Sequence, residues 1–361
     1  MSIPLNLRLQ KYQAWRERLP VDRPMVGLLW EPDIPPLPDF IEQVGVGNEI
    51  DPMHLKAEMF LPFVEDWYRQ DARLSSDVIQ PFTPAFGMPW VEAIAGCRVV
   101  AYPGSLWAEP IEEGDVYRMD FRFDRQNPWL QALLRFTEAM VSMADGRFPV
   151  ALPQMRGPLD LLAALRTPNQ MCLDAIETPE AVIRTLGRLA DLWIHIAEAV
   201  LDIIPPFHDG YSTRMKMWAP GKAITPQNDV STLISPRMYR ELVLPWDEYM
   251  FQSFPFHSYH MHATEYRHIP ALLSCKRLTA IQLTLEHTLG GPSLELMLQE
   301  ARRILAEKPL ILVPLDLESA EVCLNELSSA GLAVMVGTNS PEIPGEYVQW
   351  LEDHCKLPRV P

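Results

Sequence analysis

Apolar positions in the C-terminal third of the chain form short continuous runs, and longer amphipathic stretches separate them. The short runs predict strands at Phe256–His262, 278–284, 309–315 and 332–336. The longer stretches predict helices at 265–275, 292–307, 318–330 and 342–355. Successive strand–helix units with nearly continuous apolar strands are typical of a parallel sheet that is buried on both faces.

The N-terminal half shows a less regular pattern. Apolar runs predict strands at Met25–Trp30 and at 148–152. Alternating β-formers at 99–102 and 116–123 predict a pair of strands outside the main sheet. Since fewer than eight strand–helix units are visible, both a closed barrel and an open doubly wound sheet agree with the pattern.

Helices in the N-terminal half are marked by their starting residues. A helix whose faces mix apolar and polar residues is expected at 54–69. A long helix at 179–204 follows the N-cap Thr178. Another helix begins after Ser235, and Pro245 is expected to kink or end it. No Gly/Ser linker interrupts the pattern, so we expect a single domain over residues 1–361.

The composition of the chain argues against several classes of function. The formal net charge of −16 argues against nucleic-acid binding, which needs a basic surface. No apolar run reaches the length of a membrane span or of a signal-peptide core, so we expect a cytoplasmic protein without membrane attachment. Widely spaced free cysteines agree with a reducing compartment. They are Cys97, Cys172, Cys275, Cys323 and Cys355.

Three of the nine histidines lie between residues 257 and 262. In a strand, residues two apart point the same way, so His260 and His262 share one face and His257 takes the other. A strand that ends in imidazoles and leads into a helix is where α/β barrels place their chemistry. The alternative is that these histidines bond to backbone groups or line a solvated rim.

Other polar side chains follow predicted strands. Glu286 and Asp316 come after strands and are candidates for binding substrate, although Asp316 is equally compatible with capping the next helix. Arg156 is a candidate for holding a substrate carboxylate, or else a partner of a nearby acid. Trp218 is a candidate wall for a flat ligand, with plain core packing as the alternative.

Five segments, in this order, carry a resemblance to a known family. They are LPVDRPMVGLLW (19–30), SDVIQP (76–81), RGPLDLLAALR (156–166), NDVSTLISPRMYRELVLPW (228–246) and HMHATEYRHIPAL (260–272). Together they resemble the uroporphyrinogen decarboxylase superfamily, which includes the haem-pathway decarboxylase and cobalamin-dependent methyltransferases. The resemblance implies a (β/α)8 TIM-type barrel with N-terminal elaborations.

The decarboxylase branch of the family implies a role for Asp77, which matches its catalytic aspartate. The family's arginine-rich loop is replaced here by residues 31–36, which carry Glu31 and Asp33. Those acids would repel a substrate with many carboxylates. A family Gly-His-Gly near the last strand is replaced by Gly-Thr-Asn at 337–339.

The methyltransferase branch implies a zinc site of one histidine and two cysteines. His262 matches the histidine, but Thr264 and Thr338 stand at the thiolate positions. A different zinc set of His260, His262 and Glu286 is the alternative, since two imidazoles and a carboxylate make a catalytic zinc site.

These implications make a methyltransferase-like enzyme the leading hypothesis. It would move a methyl group between a small substrate and a corrinoid or thiol, with His262, Asp229 and Asp77 as candidate catalytic residues. Zinc and a corrinoid are the candidate cofactors, and a corrinoid protein and a second copy of the chain are candidate partners. The alternatives are a decarboxylase-like lyase acting on a tetrapyrrole and a non-catalytic protein that binds a corrinoid or tetrapyrrole.

Overall fold

A computed structural model of the 361-residue chain describes residues 3–30, 36–84, 87–111, 115–340 and 342–355. Its strands, in chain order, are β1 Met25–Trp30, β2 Arg98–Tyr102, β3 Ser105–Glu109, β4 Gly210–Ser212, β5 Trp218–Pro220, β6 Ala223–Ile224, β7 Phe256–His262, β8 Ala280–Thr284, β9 Leu310–Val313 and β10 Leu332–Thr338.

Helices follow most strands of the C-terminal half and cover the outer face of the sheet. In chain order the α-helices are α1 Leu5–Arg16, α2 Pro36–Val44, α3 Leu61–Asp71, α4 Trp90–Ile94, α5 Pro128–Ala144, α6 Pro158–Arg166, α7 Pro168–Glu177, α8 Pro179–Leu201, α9 Pro236–Met238, α10 Leu244–Ser253, α11 Ile269–Ser274, α12 Leu294–Glu307, α13 Leu317–Glu326 and α14 Gly345–His354. None of the helices in the described part of the chain combines the length and apolar character that a membrane crossing needs.

The main sheet has six parallel strands in the order β1-β10-β9-β8-β7-β6. The α/β pattern predicted a parallel sheet; this one curls into a half-barrel that regular pairing of the described strands does not close. Two further contacts lie outside this regular pairing, and the first of them is to β1. Asp77 N donates to Val26 O at 3.0 Å, and Phe82 forms a parallel bridge with Val150.

Strand alternation divides the apolar core into two layers. On β1, Met25 and Leu29 point inside the curl of the sheet, while Val26 and Leu28 pack outward against helices. Because both faces are covered, all six residues of β1 are buried. This double burial is why the parallel strands read as continuous apolar runs.

Helix α1 covers the amino ends of the sheet strands. The Trp15 indole donates to Leu310 O at 3.1 Å, at the start of β9. The Tyr12 hydroxyl donates to Lys216 O and accepts from Ile79 N, both at 2.7 Å. With this end covered, the carboxyl ends of the strands form the opposite end, which we call the mouth.

Two predicted strands of the N-terminal half are wrong. At 116–123 there is only a 3₁₀ turn, Val116–Arg118, because the Asp115 carboxylate accepts from Tyr117 N and forms a cap there. The paired strands are instead β2 and β3. The expected strand at 148–152 is reduced to the bridge at Val150, since Pro149 and Pro153 lack the N–H groups that a ladder uses.

Proline also changed two predicted helices. The region 54–69 contains short 3₁₀ turns, and its α-helix starts only at Leu61, one residue before Pro62. The helix that Ser235 caps is not ended by Pro245. It passes through a π-helical segment, Tyr239–Val243, and continues as α10. A π segment next to proline accommodates the missing donor.

Gly157 allows α6 to pack against the loop that follows β6. A Cβ atom at this position would lie 2.1 Å from Gln227 O and 2.7 Å from Asn228 Oδ1. Asn228 Oδ1 also accepts from Leu159 N at 2.9 Å, so the loop caps the helix. We expect Gly157→Ala to destabilise the protein by about 3 kcal/mol, because backbone atoms must move apart.

Urea denaturation followed by circular dichroism measures this loss. Gly345→Ala is the matched control, because a Cβ there meets no atom within 4 Å and should change stability by less than about 0.5 kcal/mol. Equal midpoints for Gly157→Ala and the wild type would contradict the close approach.

Candidate functional site

Three predicted site residues meet at the mouth. His262 is the last residue of β7, Glu286 follows β8, and Asp229 follows β6. The carboxyl ends of parallel strands lie at the same edge of a sheet, where α/β barrels place their active sites. The topology therefore gathers residues that are up to 57 positions apart in the chain.

The histidines of β7 divide between its two faces as strand alternation predicted. His260 and His262 lie on the inner face with Phe256. His257 lies on the outer face, where Nε2 contacts the carbonyl of Phe254 at 2.7 Å. Burial lowers the pKa of His257 to about 4, which suits a neutral structural histidine.

Each inner histidine has its Nδ1 atom engaged by an acceptor. His262 Nδ1 lies 2.8 Å from Glu286 Oε1. His260 Nδ1 contacts Gln282 Oε1, and the amide group of Gln282 donates to Thr284 Oγ1 at 2.9 Å. Because both acceptors require Nδ1–H, each neutral ring carries its lone pair on Nε2.

The two Nε2 atoms and the Asp229 carboxylate converge on one point. His260 Nε2 lies 3.3 Å from His262 Nε2, and His262 Nε2 lies 4.0 Å from Asp229 Oδ2. Asp229 Oδ2 also accepts from the Gln227 amide at 2.8 Å, but the lone pairs of the two Nε2 atoms repel each other unless a proton or a cation lies between them. This arrangement therefore favours a positive partner at the mouth.

The electrostatics separate the two histidines. The hydrogen bond that His262 Nδ1 donates to Glu286 raises the pKa of His262, and the same contact lowers the pKa of Glu286. Burial lowers the pKa of His260 to about 4. His262 is thus the more readily charged ring, and His260 stays neutral at physiological pH.

A buried carboxylate at the start of α6 positions the loop that carries Asp229. Asp160 accepts from Asp229 N at 3.0 Å and from Val230 N at 2.9 Å. Burial raises the pKa of Asp160 to about 7, with the nearby Asp229 carboxylate as the next cause.

Glu265 ties the same loop to the end of β7. It accepts from His262 N at 2.7 Å and from Ser231 Oγ at 2.8 Å, and it is almost completely buried. Burial raises the pKa of Glu265 well above its ordinary value. The strand that carries His262 and the loop that carries Asp229 therefore share one acceptor.

Two other predicted residues lie at the mouth end with partners of their own. Arg156 forms an ion pair with the buried Glu92. Asp316 caps α13, since it accepts from Ser319 N at 2.7 Å and from Ser319 Oγ at 2.8 Å. Asp316 therefore makes the capping contacts that were its alternative role. Arg156 likewise forms the ion pair that was its alternative role.

Asp77 and Trp218 lie away from this cluster, near the amino ends of the strands. Asp77 is fully buried and forms ion pairs with Lys11 and Arg23. It also accepts from Val26 N at 3.0 Å. The Trp218 ring packs 6.5 Å from the ring of Tyr12 on α1. The structure does not bring either residue to His262.

The positions that the family resemblance assigned to thiolates carry no sulfur. Thr264 is exposed in the 3₁₀ turn after β7, and Thr338 ends β10. The five cysteines are free thiols on other elements, and four of them are buried. A zinc site of one histidine and two thiolates therefore does not fit this chain. The loop at 31–36, expected to be acidic, lies outside the residues whose side chains the structure describes.

Sequence reasoning missed three residues of the site: Gln282, Asp160 and Glu265. Alternation on β8 could have placed Gln282 on the inner face, but its position opposite His260 depends on the register between β7 and β8. Asp160 and Glu265 sit in first helical turns, where acids usually stabilise the helix dipole, so nothing local distinguished them.

Comparison with known proteins identifies the fold. No protein-family model matches the chain, and no curated protein matches it either. Among solved structures, the chain is similar to a methyltransferase from Methanosarcina mazei, with a TM-score of 0.66 and 15% sequence identity. The match covers 97% of this chain and 98% of that one. At this identity the likeness shows a shared fold.

Replacing Glu286 should change the titration of His262. In metal-free protein, Glu286→Gln removes the carboxylate that favours the imidazolium, so the pKa of His262 should fall. Because the wild-type folded pKa is raised, the pair adds stability that is complete below pH about 6.5 and fades as pH rises through the folded value. Titration of histidine ring resonances by NMR measures the shift.

Glu307→Gln is the control, since Glu307 is exposed at the end of α12. An unchanged His262 titration in Glu286→Gln would contradict the hydrogen bond between the two side chains.

Replacing Asp77 should affect stability without affecting the mouth. Asp77→Asn leaves Lys11 and Arg23 without their buried carboxylate, which should cost about 3 kcal/mol. Urea denaturation measures the loss, and the His262 resonance should titrate as in the wild type. A changed His262 titration would mean that Asp77 acts on the mouth.

Proposed function

We propose that this protein is a methyltransferase-like enzyme that transfers a methyl group between a small substrate and a corrinoid or thiol. The observation that carries the proposal is the convergence of three acceptor atoms, from His260, His262 and Asp229, at the mouth. The fold shared with a methyltransferase supports this reaction class by analogy.

The proposal includes a closed (β/α)8 barrel. Segments 77–82 and 149–151 would occupy the second and third strand positions, between β1 and β6. The supporting contacts are Asp77 N to Val26 O at 3.0 Å and Phe82 N to Pro149 O at 3.0 Å. A closed barrel would surround the acceptor cluster with loops from all eight strands.

The cluster would act on the methyl acceptor. A thiol or similar acceptor becomes a strong nucleophile only when its proton is lost or its charge is balanced. The lone pairs of His262 Nε2 and Asp229 Oδ2 would bind the proton or cation that balances the charge of that nucleophile. Glu286 would keep the His262 ring in the orientation that presents Nε2.

The transfer itself balances as a displacement at carbon. The bond between the nucleophile and the methyl carbon forms while the bond from methyl to donor breaks. The electron pair of the broken bond stays on the donor, and the proton of the acceptor passes through the cluster to solvent. Arg156, with its buried partner Glu92, would bind an anionic group of the substrate near Asp229.

Methyl transfer from methylcob(III)alamin to a panel of thiols tests the proposal. Loss of the methyl–cobalt absorption should require the enzyme, and His262→Ala should reduce the rate by about 10²- to 10⁴-fold. Glu307→Gln should retain the wild-type rate. No transfer to any thiol would count against the proposal.

The same protein distinguishes the two alternatives. Formation of coproporphyrinogen from uroporphyrinogen would favour a decarboxylase. A spectral shift on titration with cobalamin or haem, without turnover of any substrate, would favour a binding protein.

A further inference from the structure

We infer that the mouth is a metal centre in which His260 Nε2, His262 Nε2 and Asp229 bind one divalent ion, with zinc as the expected occupant. The ligand set differs from the two thiolates and one histidine that the family resemblance implied. The role of the metal in turnover rests on the proposed function, whereas metal binding does not. Binding itself is tested separately.

The spacing of the nitrogen atoms fits this role. Zinc–nitrogen bonds of about 2.0–2.1 Å at a tetrahedral angle place two ligand nitrogens about 3.3 Å apart. The observed separation of His260 Nε2 and His262 Nε2 is 3.3 Å. All three ligand atoms, with one from Asp229, lie within 4.8 Å of one another.

The contacts of the ligands also fit. His260 is 8% exposed, and its Nε2 atom lies 3.3 Å from His262 Nε2, so the two nitrogens share either a proton or a cation. Asp229 Oδ1 is buried, and it meets no hydrogen-bond partner within the part of the chain that the structure describes. A cation would satisfy all of these atoms, because each is a lone-pair donor.

Groups behind the ligands complete the arrangement. A metal-bound histidine usually donates its second ring N–H to a carboxylate or carbonyl oxygen, which fixes the tautomer. Here Glu286 does this for His262 at 2.8 Å, and Gln282 does it for His260. Asp229 therefore takes the ligand position that the sequence suggested for Glu286, since Glu286 contacts Nδ1 on the other side of the His262 ring.

The donor types select the ion. Two imidazoles and one carboxylate form a catalytic zinc set with an open position, whereas sulfur ligands are absent from the described mouth residues. When bound, the ion would supply Lewis acidity, which lowers the pKa of a coordinated nucleophile. In that state His260, His262 and Asp229 would hold the ion, and Glu286 and Gln282 would orient the two histidine rings.

Metal analysis of the full-length protein tests the centre. Protein stripped with a chelator and then titrated with zinc in a calorimeter should bind about one ion per chain. His260→Gln and Asp229→Asn, which preserve side-chain volume, should each weaken binding at least 100-fold. Glu286→Gln should weaken it about 10- to 100-fold through His262.

Two controls address other sources of binding. His195→Ala removes an exposed histidine of α8, and Cys172→Ser removes the one cysteine thiol that is not buried. Each of these two variants should bind zinc with the wild-type affinity. Cobalt(II) in place of zinc should give visible absorption without a thiolate charge-transfer band. Thermal melts of every variant confirm folding.

Wild-type affinity in folded His260→Gln and Asp229→Asn would overturn the inference, and so would a thiolate band with cobalt. Site-specific zinc binding without any methyl transfer would sustain the metal centre while the proposed function fails. Full methyl transfer by the stripped protein in the presence of chelator would overturn any part for the metal in turnover.

Discussion

In the parallel pairing of β7 with β8, His260 lies opposite Gln282 and His262 lies opposite Thr284. The geometry of the mouth depends on this register. Because side chains alternate along a strand, a slip of one residue would turn both inner histidines toward the helices. The continuous apolar strands, buried on both faces, leave little freedom for such a slip. The packing of the sheet thereby fixes the tautomer of His260 and the position of His262.

The mouth concentrates carboxyl groups that the surrounding packing must hold. Asp160 and Glu265 are nearly completely buried, and both have raised pKa values because burial disfavours their charged forms. Each of them accepts hydrogen bonds from backbone or hydroxyl donors of the adjacent loop. The same acids that position Asp229 therefore contribute less negative charge than exposed carboxylates would, and their main role is to hold the loop and the end of β7 in place.

The opposite end of the strands holds a buried carboxylate whose partners all lie within the protein. Asp77 is as buried as any residue of the mouth, yet two cations and a backbone N–H satisfy it. At the mouth, the corresponding lone pairs of His260 and His262 face each other. The contrast between satisfied and unsatisfied acceptors, rather than burial alone, separates a supporting ion pair from a candidate site.

Sequence alone determined the repeating strand–helix pattern of the C-terminal half, because apolar runs that are buried on both faces have few other solutions. The predicted bounds of β1 and β7 match the structure, and strand alternation placed His260 and His262 together. Only the tertiary structure decided which groups meet them. Asp229 and Gln282 approach through loop conformation and strand register, which no local pattern encodes. Asp77 matched a family motif, but the chain path placed it at the amino ends of the strands, where Lys11 and Arg23 neutralise it.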